Sequence, residues 1–419
     1  MQFKLSKYIL PSVISMVLVG TYTNIDGFFI GNVTGDDGLA AINIVWPIVA
    51  LITAIGTGIG VGGSVLLNQL RGKNDCQGAG EVRSTLLFLL FAVGILTGAI
   101  LLLCYQPLLK LMGAAGTVYE YAADYALIVC AGSVFQIAGA GLVALLRNEQ
   151  KTYFSMVCCI VGLVVHLVLD WLLVEKYTLG GVALSTVLSQ AVIMVLCLVA
   201  LRSPEKHKLN KKYMAPILIA STSPLGINFV PSVVLLFTNA FALKAGGTAA
   251  VSAYAVMSYA VYTFDYVFQG VCDGIQPVLS YCNGANDRQG EHRAIRVGAI
   301  VLGVSVVLFM ATTPALIVLM PKLFATSVTA EAMMRSGFII YAVAYPFKAA
   351  VKFIGSYYYA VGKTTLSNLL IYADPVVFTP LFLAILSKAW GMDGIWWSMT
   401  FAQVAVTLMA IIFNKKRVR

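Results

Sequence analysis

Twelve apolar runs, each long enough to cross a bilayer, leave this chain of 419 residues few ways to fold. They lie near residues 8–31, 43–68, 85–109, 121–145, 153–175, 181–201, 215–243, 251–280, 294–320, 336–360, 366–388 and 394–414. About 20 apolar residues, at ~1.5 Å each, span the ~30 Å hydrocarbon core. Lipid offers no hydrogen bonds to the backbone, so a spanning segment is a helix or part of a closed barrel. Barrel strands alternate apolar and polar residues, whereas these runs are apolar throughout. The expected fold is an all-α integral membrane protein with twelve transmembrane helices. Only 11% of residues are charged, against about 25% in a soluble domain, too few to build a polar surface. The first run follows Lys4 and Lys7 as a signal peptide would. It is too long and lacks a clean small-residue cleavage site, so it reads as a retained span.

The formal charge of +10 invites a nucleic-acid partner, and topology removes the need for one. With both termini placed in the cytoplasm, the inner segments hold 20 of the 28 Lys and Arg residues and the outer ones 6. This is the positive-inside bias of a cell-membrane protein. The remaining two, Lys348 and Lys352, fall within a span. The eight cysteines show no metal-ligand spacing and read as small packing residues.

The chain also repeats itself at an offset near 212 residues. Gly72-Lys73-Asn74-Asp75 matches Gly284-Ala285-Asn286-Asp287, and Lys151-Thr152 matches Lys363-Thr364. Gly181 matches Gly394 with one residue of slippage. Six spans return the chain to its starting side, so the halves run in the same orientation. The expected division is a lobe at 1–202, a cytoplasmic linker at 203–213 and a second lobe at 214–419. Two such bundles hold a binding site between them near the midplane and suit alternating access. Two fused lobes complete one pathway, so a monomer suffices. No Walker A loop is present: Ala360-Val361-Gly362-Lys363-Thr364 lacks its first glycine, with Tyr357 in that place. Energy should come from an ion gradient, and no cofactor is implied.

Ionisable side chains at membrane depth cost at least ~2.5–3.5 kcal/mol, which makes them functional candidates. Asp26 lies in the first span, flanked by Thr23 and Asn24. Asp170 lies in the fifth, one turn after His166. A closed apolar cavity disfavours a charged carboxylate, so such a group can take up and release a proton. Two carboxylates brought together could instead hold Na⁺ through oxygen ligands at Asp26 and Asp170. The eighth span carries a polar stripe, Asp265, Gln269, Asp273 and Gln276, with Tyr254, Met257 and Tyr262 beside it. Aromatic and methionine side chains near a carboxylate suit a cationic, apolar ligand. Asp273, nearer the inner end, is expected to reach water. Lys348 and Lys352 are expected to form a structural ion pair with Asp374.

Asn24-Ile25-Asp26-Gly27-Phe28-Phe29-Ile30-Gly31 resembles the opening helix of the multidrug and toxic compound extrusion (MATE) transporters. Leu169-Asp170, Gly274-Ile275-Gln276-Pro277 and Ala360-Val361-Gly362-Lys363 are similar to further segments of that family. The resemblance covers the whole chain. It implies a twelve-helix exporter that exchanges H⁺ or Na⁺ for amphipathic, often cationic small molecules. It carries the family's first-span and fifth-span aspartates over to Asp26 and Asp170, and a sixth-span threonine to Thr186. There are departures. The family often has asparagine where His166 stands and proline where Trp171 stands. It usually has arginine near Ala373, where the charge here is Asp374. Imidazole in place of an amide favours protons over Na⁺. The alternative transport reading is a lipid-linked saccharide flippase of the same superfamily, whose cavity is more cationic. A membrane-embedded enzyme finds no support, since Gly-x-Ser-x-Gly and His-Glu-x-x-His are both absent.

Overall fold

The structure is a computed structural model and describes residues 4–202, 207–324 and 326–418; the side chains at 23, 24, 36 and 414–418 lie outside the description. Among the described residues every regular element is helical. Eight helices are long and apolar enough to cross a membrane, and the bent pair Gly116–Ala131 and Ser133–Asn148 adds a ninth. Three of these stretches, Thr152–Ala200, Lys211–Gly284 and Thr364–Phe413, run 49, 74 and 50 residues. At ~1.5 Å per residue each is more than twice a bilayer's thickness. Each is broken once, at Thr178, Gly247 and Gly391, so each is two spans and the total is twelve.

We number the spans in chain order. In the first half, α1 is Ser6–Gly35, α2 Asp37–Gly72 and α3 Cys76–Leu111; α4 is the pair bent by 58° at Gly132. The broken helix supplies α5 (152–177) and α6 (179–200). In the second half, α7 is 214–246, α8 248–284, α9 Arg288–Leu323 and α10 Val328–Ala360. The last two are α11 (364–390) and α12 (392–418).

The internal repeat appears as repeated turns. Gly35 and Gly247, 212 residues apart, both break their helices at positive φ, 61° and 65°. Asn74 (φ 61°) and Asn286 (φ 53°) take the left-handed conformation that asparagine tolerates. The aspartates that follow cap the next helix alike. Asp75 accepts from the Gly78 N–H at 2.8 Å and Asp287 from the Gly290 N–H at 2.9 Å. The third pair of breaks is Thr178 and Gly391, now 213 residues apart. The extra residue lies between 364 and 391, where α11 widens into a π turn, Asp374–Phe378. A π turn holds one residue more than an α turn and absorbs the slippage.

Two large apolar cores form, beside a small third cluster of Tyr358, Leu370, Val406 and Ala410. One is built from α1 to α6 around Ile52, Leu86, Leu90, Leu142 and Val182. The other is built mainly from α7 to α12 around Phe268, Phe338, Tyr345 and Trp396. Outward-facing side chains such as Phe28, Leu103, Trp171 and Val307 are apolar and exposed, which gives lipid its surface. The bundles meet along α1, α2, α7 and α8. Their backbones approach so closely that a Cβ on Gly274 would stand 2.6 Å from Ile9 Cα, and one on Gly62 2.7 Å from Ser221 Cα. Further along, Gly72 and Gly284 cross: a Cβ on Gly284 would stand 2.1 Å from the Gln69 carbonyl oxygen. These contacts draw the bundles together at the face that carries the N-terminal end of α1 and the α2–α3 and α8–α9 turns. Of the stretch between the halves, 203–206 lies outside the described residues. The remainder lies along α3, where Ser84 donates to the His207 carbonyl at 2.9 Å and the Asn210 N–H donates to Thr85 at 3.2 Å.

Three of the four helix breaks use glycine, and the fourth puts a β-branched side chain at φ 48°, ψ −128°. Such a conformation costs on the order of 1–3 kcal/mol. Thr178→Gly is therefore expected to raise stability by about 1 kcal/mol or more, seen as a higher midpoint of thermal unfolding in detergent. An unchanged or lower midpoint would mean that Thr178 carries no strain.

Candidate functional site

Between the bundles lies a cavity of about 210 Å³. The first half contributes Tyr22, Asp26, Trp46, Tyr125, His166 and Thr186 to its wall. The second contributes Tyr262, Asp265, Tyr266, Gln269 and Lys352. A smaller cavity of about 90 Å³ adjoins it within the second half, and Tyr262, Asp265 and Lys352 line both.

Three of the intramembrane candidates converge. The His166 Nε2 atom lies 2.8 Å from Asp26 Oδ1 and 3.1 Å from Asp170 Oδ2. The i, i+4 spacing on α5 sets the second contact, and α1 supplies the first. His166 and Asp170 are fully buried, while Asp26 faces the cavity. Neither oxygen of Asp170 has an aligned hydrogen-bond partner among the described residues. The Tyr22 ring meets His166 edge-on, with centroids 4.9 Å apart, and holds the imidazole in place. Thr186 reaches the same cavity, with its hydroxyl donating to the Val182 carbonyl at 3.1 Å. Asn24 lies outside the described side chains. Asp26, His166 and Asp170 could together hold a metal ion.

The second half departs from expectation in three ways. First, Lys348 and Lys352 pair with Asp265 and not with Asp374. Lys348 Nζ stands 2.6 Å from Asp265 Oδ2, and Lys352 Nζ 3.9 Å from Oδ1. Asp374 instead accepts from Thr379 at 2.6 Å and Gln403 at 2.7 Å. Its place at the head of the π turn faces it towards α12. Second, Asp273 is not solvated. It is buried against Arg147 of the first half, Nη2 to Oδ2 2.9 Å, and accepts from Gln269 at 2.7 Å. Third, the stripe does not act as one wall. Asp265, Gln269 and Tyr262 line the larger cavity and Tyr254 the smaller. Met257 is buried in the core against Gly337, and Gln276 donates to Ser280 at 2.9 Å.

Sequence reasoning missed Arg147, which looked like an ordinary inner-face charge two residues beyond an apolar run. It also missed the tyrosines of the first half. Tyr22, a turn before Asp26, was open to the same spacing argument that found His166. Arg147 carried no such local signal, because its partner lies in the other bundle.

The fold is that of the transporters of the MOP superfamily. A Pyrococcus furiosus transporter of that superfamily, described as having a binding pocket of reversed polarity, superposes with a TM-score of 0.90 at 19% identity. The alignment covers 99% of this chain and 95% of that one. A multidrug resistance MATE transporter in an outward-facing conformation gives 0.89, also at 19% identity and with the same coverage. Within that fold, the MatE family model matches residues 11–172. The multidrug export protein MepA of Staphylococcus haemolyticus is 24% identical over 96% of this chain and 90% of its own length. MepA of Staphylococcus saprophyticus is 22% identical over 96% and 91%.

Arg147 and Asp273 are both buried and join the two bundles. Removing one member of such a pair leaves the other as an uncompensated charge, at about 3–5 kcal/mol. Asp273→Asn is expected to lower the thermal midpoint sharply, and Arg147→Met with Asp273→Leu to recover much of it. If Asp273→Asn unfolds like the parent, the pair does not hold the bundles together.

Proposed function

We propose that the protein is a secondary active multidrug efflux transporter, which exports amphipathic compounds in exchange for H⁺ by alternating access between its two bundles. The observation that carries this reading is the buried Asp26–His166–Asp170 cluster on the wall of the inter-bundle cavity. The relatives named as multidrug export proteins support it. Asp26 meets the cavity, His166 bridges and Asp170 lies behind without an aligned partner, which is the order a proton relay needs. Loading a proton neutralises charge and lowers the cost of closing the helices around the site. Protons are favoured over Na⁺ because the group between the two acids is an imidazole, which titrates near neutral pH and offers no oxygen to Na⁺. A cationic substrate would be drawn to the Asp26 side, where Tyr22, Trp46 and Tyr125 offer ring faces. Asp265 is less available, since two lysines share it.

The lobes at 1–202 and 214–419, joined by 203–213, would rock about the α1–α2 and α7–α8 contact. The positive-inside bias supports a cytoplasmic location, in a bacterial cell membrane, for both termini and the face at which the bundles are drawn together. One chain holds the whole pathway, so a monomer is the working unit.

The test is efflux of a fluorescent lipophilic cation from proteoliposomes under an imposed pH gradient and, separately, a Na⁺ gradient. Asp26→Asn and Asp170→Asn are each expected to reduce pH-driven export to the protein-free background while keeping the parent's unfolding midpoint. Retained export in both variants would remove the cluster from the mechanism. His166→Asn restores an amide at the bridging position. It is expected to lose most pH-driven export and to gain a response to Na⁺. Unchanged pH-driven export would show that the imidazole relays nothing.

A further inference from the structure

We propose that Lys348 and Lys352 form an anion-binding subsite in the second bundle, which takes the carboxylate or phosphate of an amphipathic substrate. The two lysines lie one turn apart on α10 and share one carboxylate, Asp265. One lysine would be enough to balance it. Lys348 takes the close contact, 2.6 Å. Lys352 is 3.9 Å from the other oxygen and donates instead to the Asp265 backbone carbonyl at 3.2 Å. An ammonium has three donors and no acceptor, so Lys352 keeps donor capacity for a ligand. The other acid of this wall, Asp374, has its oxygens engaged by Thr379 and Gln403, and neither ammonium pairs with it.

Both lysines are within reach of a ligand. Lys352 lines both cavities, Lys348 lines the smaller, and their side chains keep 13% and 22% of their exposure. Around them the smaller cavity is apolar, with Val230, Val234, Val261, Leu370 and Ile371. An anionic head on the ammonium groups would place an alkyl or aromatic body against these side chains. In the larger cavity Arg147 of the first bundle is taken by Asp273 and Asp265 of the second by Lys348, which leaves Asp26 on one wall and Lys352 on the other. A compound carrying both charges could bridge them. The role as a substrate subsite rests on the export reading, but the binding does not.

The experiment is isothermal titration calorimetry on the full chain in neutral maltoside detergent, with no gradient. The probes are decyl phosphate, decanoate and decyltrimethylammonium, with inorganic phosphate as the headgroup alone. The parent is expected to bind the two anionic amphipaths more tightly than inorganic phosphate. Charge-assisted contacts are the stronger hydrogen bonds, so Lys352→Gln is expected to weaken both anionic amphipaths by about tenfold or more. Lys352→Arg keeps their binding, and decyltrimethylammonium binds Lys352→Gln as tightly as the parent or more so. Lys348→Gln, which leaves Lys352 in place, shows a smaller loss in the same direction. Equal binding of the anionic probes by parent and both Gln variants overturns the proposal. So does a parallel loss of anionic and cationic probes, or no anion binding by the parent. Because no transport is measured, a chain that fails to export a cation can still pass, and one that exports it can still fail.

Discussion

A backbone surrounded by lipid has no one to hydrogen-bond with but itself, and the rest of this molecule follows from that constraint. It makes the spans helical and confines irregular backbone to places where protein covers it or the membrane ends. The breaks at Gly35, Thr178, Gly247 and Gly391 are such places. The same scarcity of water makes every intramembrane charge seek company. Asp26 and Asp170 find His166, Asp273 finds Arg147, and Asp265 finds two lysines. The proposed roles fall where these pairings are imperfect, at Asp170, which His166 meets at 3.1 Å without good alignment, and at Lys352, 3.9 Å from its carboxylate.

The two bundles share a scaffold but divide their labour. The first buries an acid–imidazole–acid cluster, and the second sets lysines around an acid. Arg147 and Asp273 tie the two at the edge of the cavity, so under the proposed alternating access that contact must break or shift when the bundles part.

Much of this was readable from residue order. Span number follows from run length, and the repeat from a shared offset that reappears as matching backbone turns at Asn74 and Asn286. The Asp170–His166 contact follows from helical spacing, and Asp26 stands out as the other costly acid of the same half, though nothing in the sequence sets it against His166. What could not be read is which residue meets which across helices. Adjacent spans suggest Asp374 as the partner of Lys348, but packing turns Asp265 of α8 towards it. A place near a helix end suggests water for Asp273, yet Arg147 of the other bundle covers it. Periodicity fixes a face of one helix and says nothing of the neighbour's rotation about its own axis.

The π turn in α11 has a wider meaning. A single codon gained in one copy of a duplicated gene would leave just this trace: a repeat in step up to Thr364, one residue out of step by Gly391, and one swollen turn between. Because the turn absorbs the extra residue, the helix beyond it keeps its packing and the architecture survives. Within the swelling stand Asp374 and Pro375, with no acid or proline at the matching positions of the first copy. An insertion of this kind lets one half of a symmetric ancestor acquire its own pocket chemistry without disturbing the other, and so gives a duplicated carrier a route from a symmetric binding site to a two-faced one.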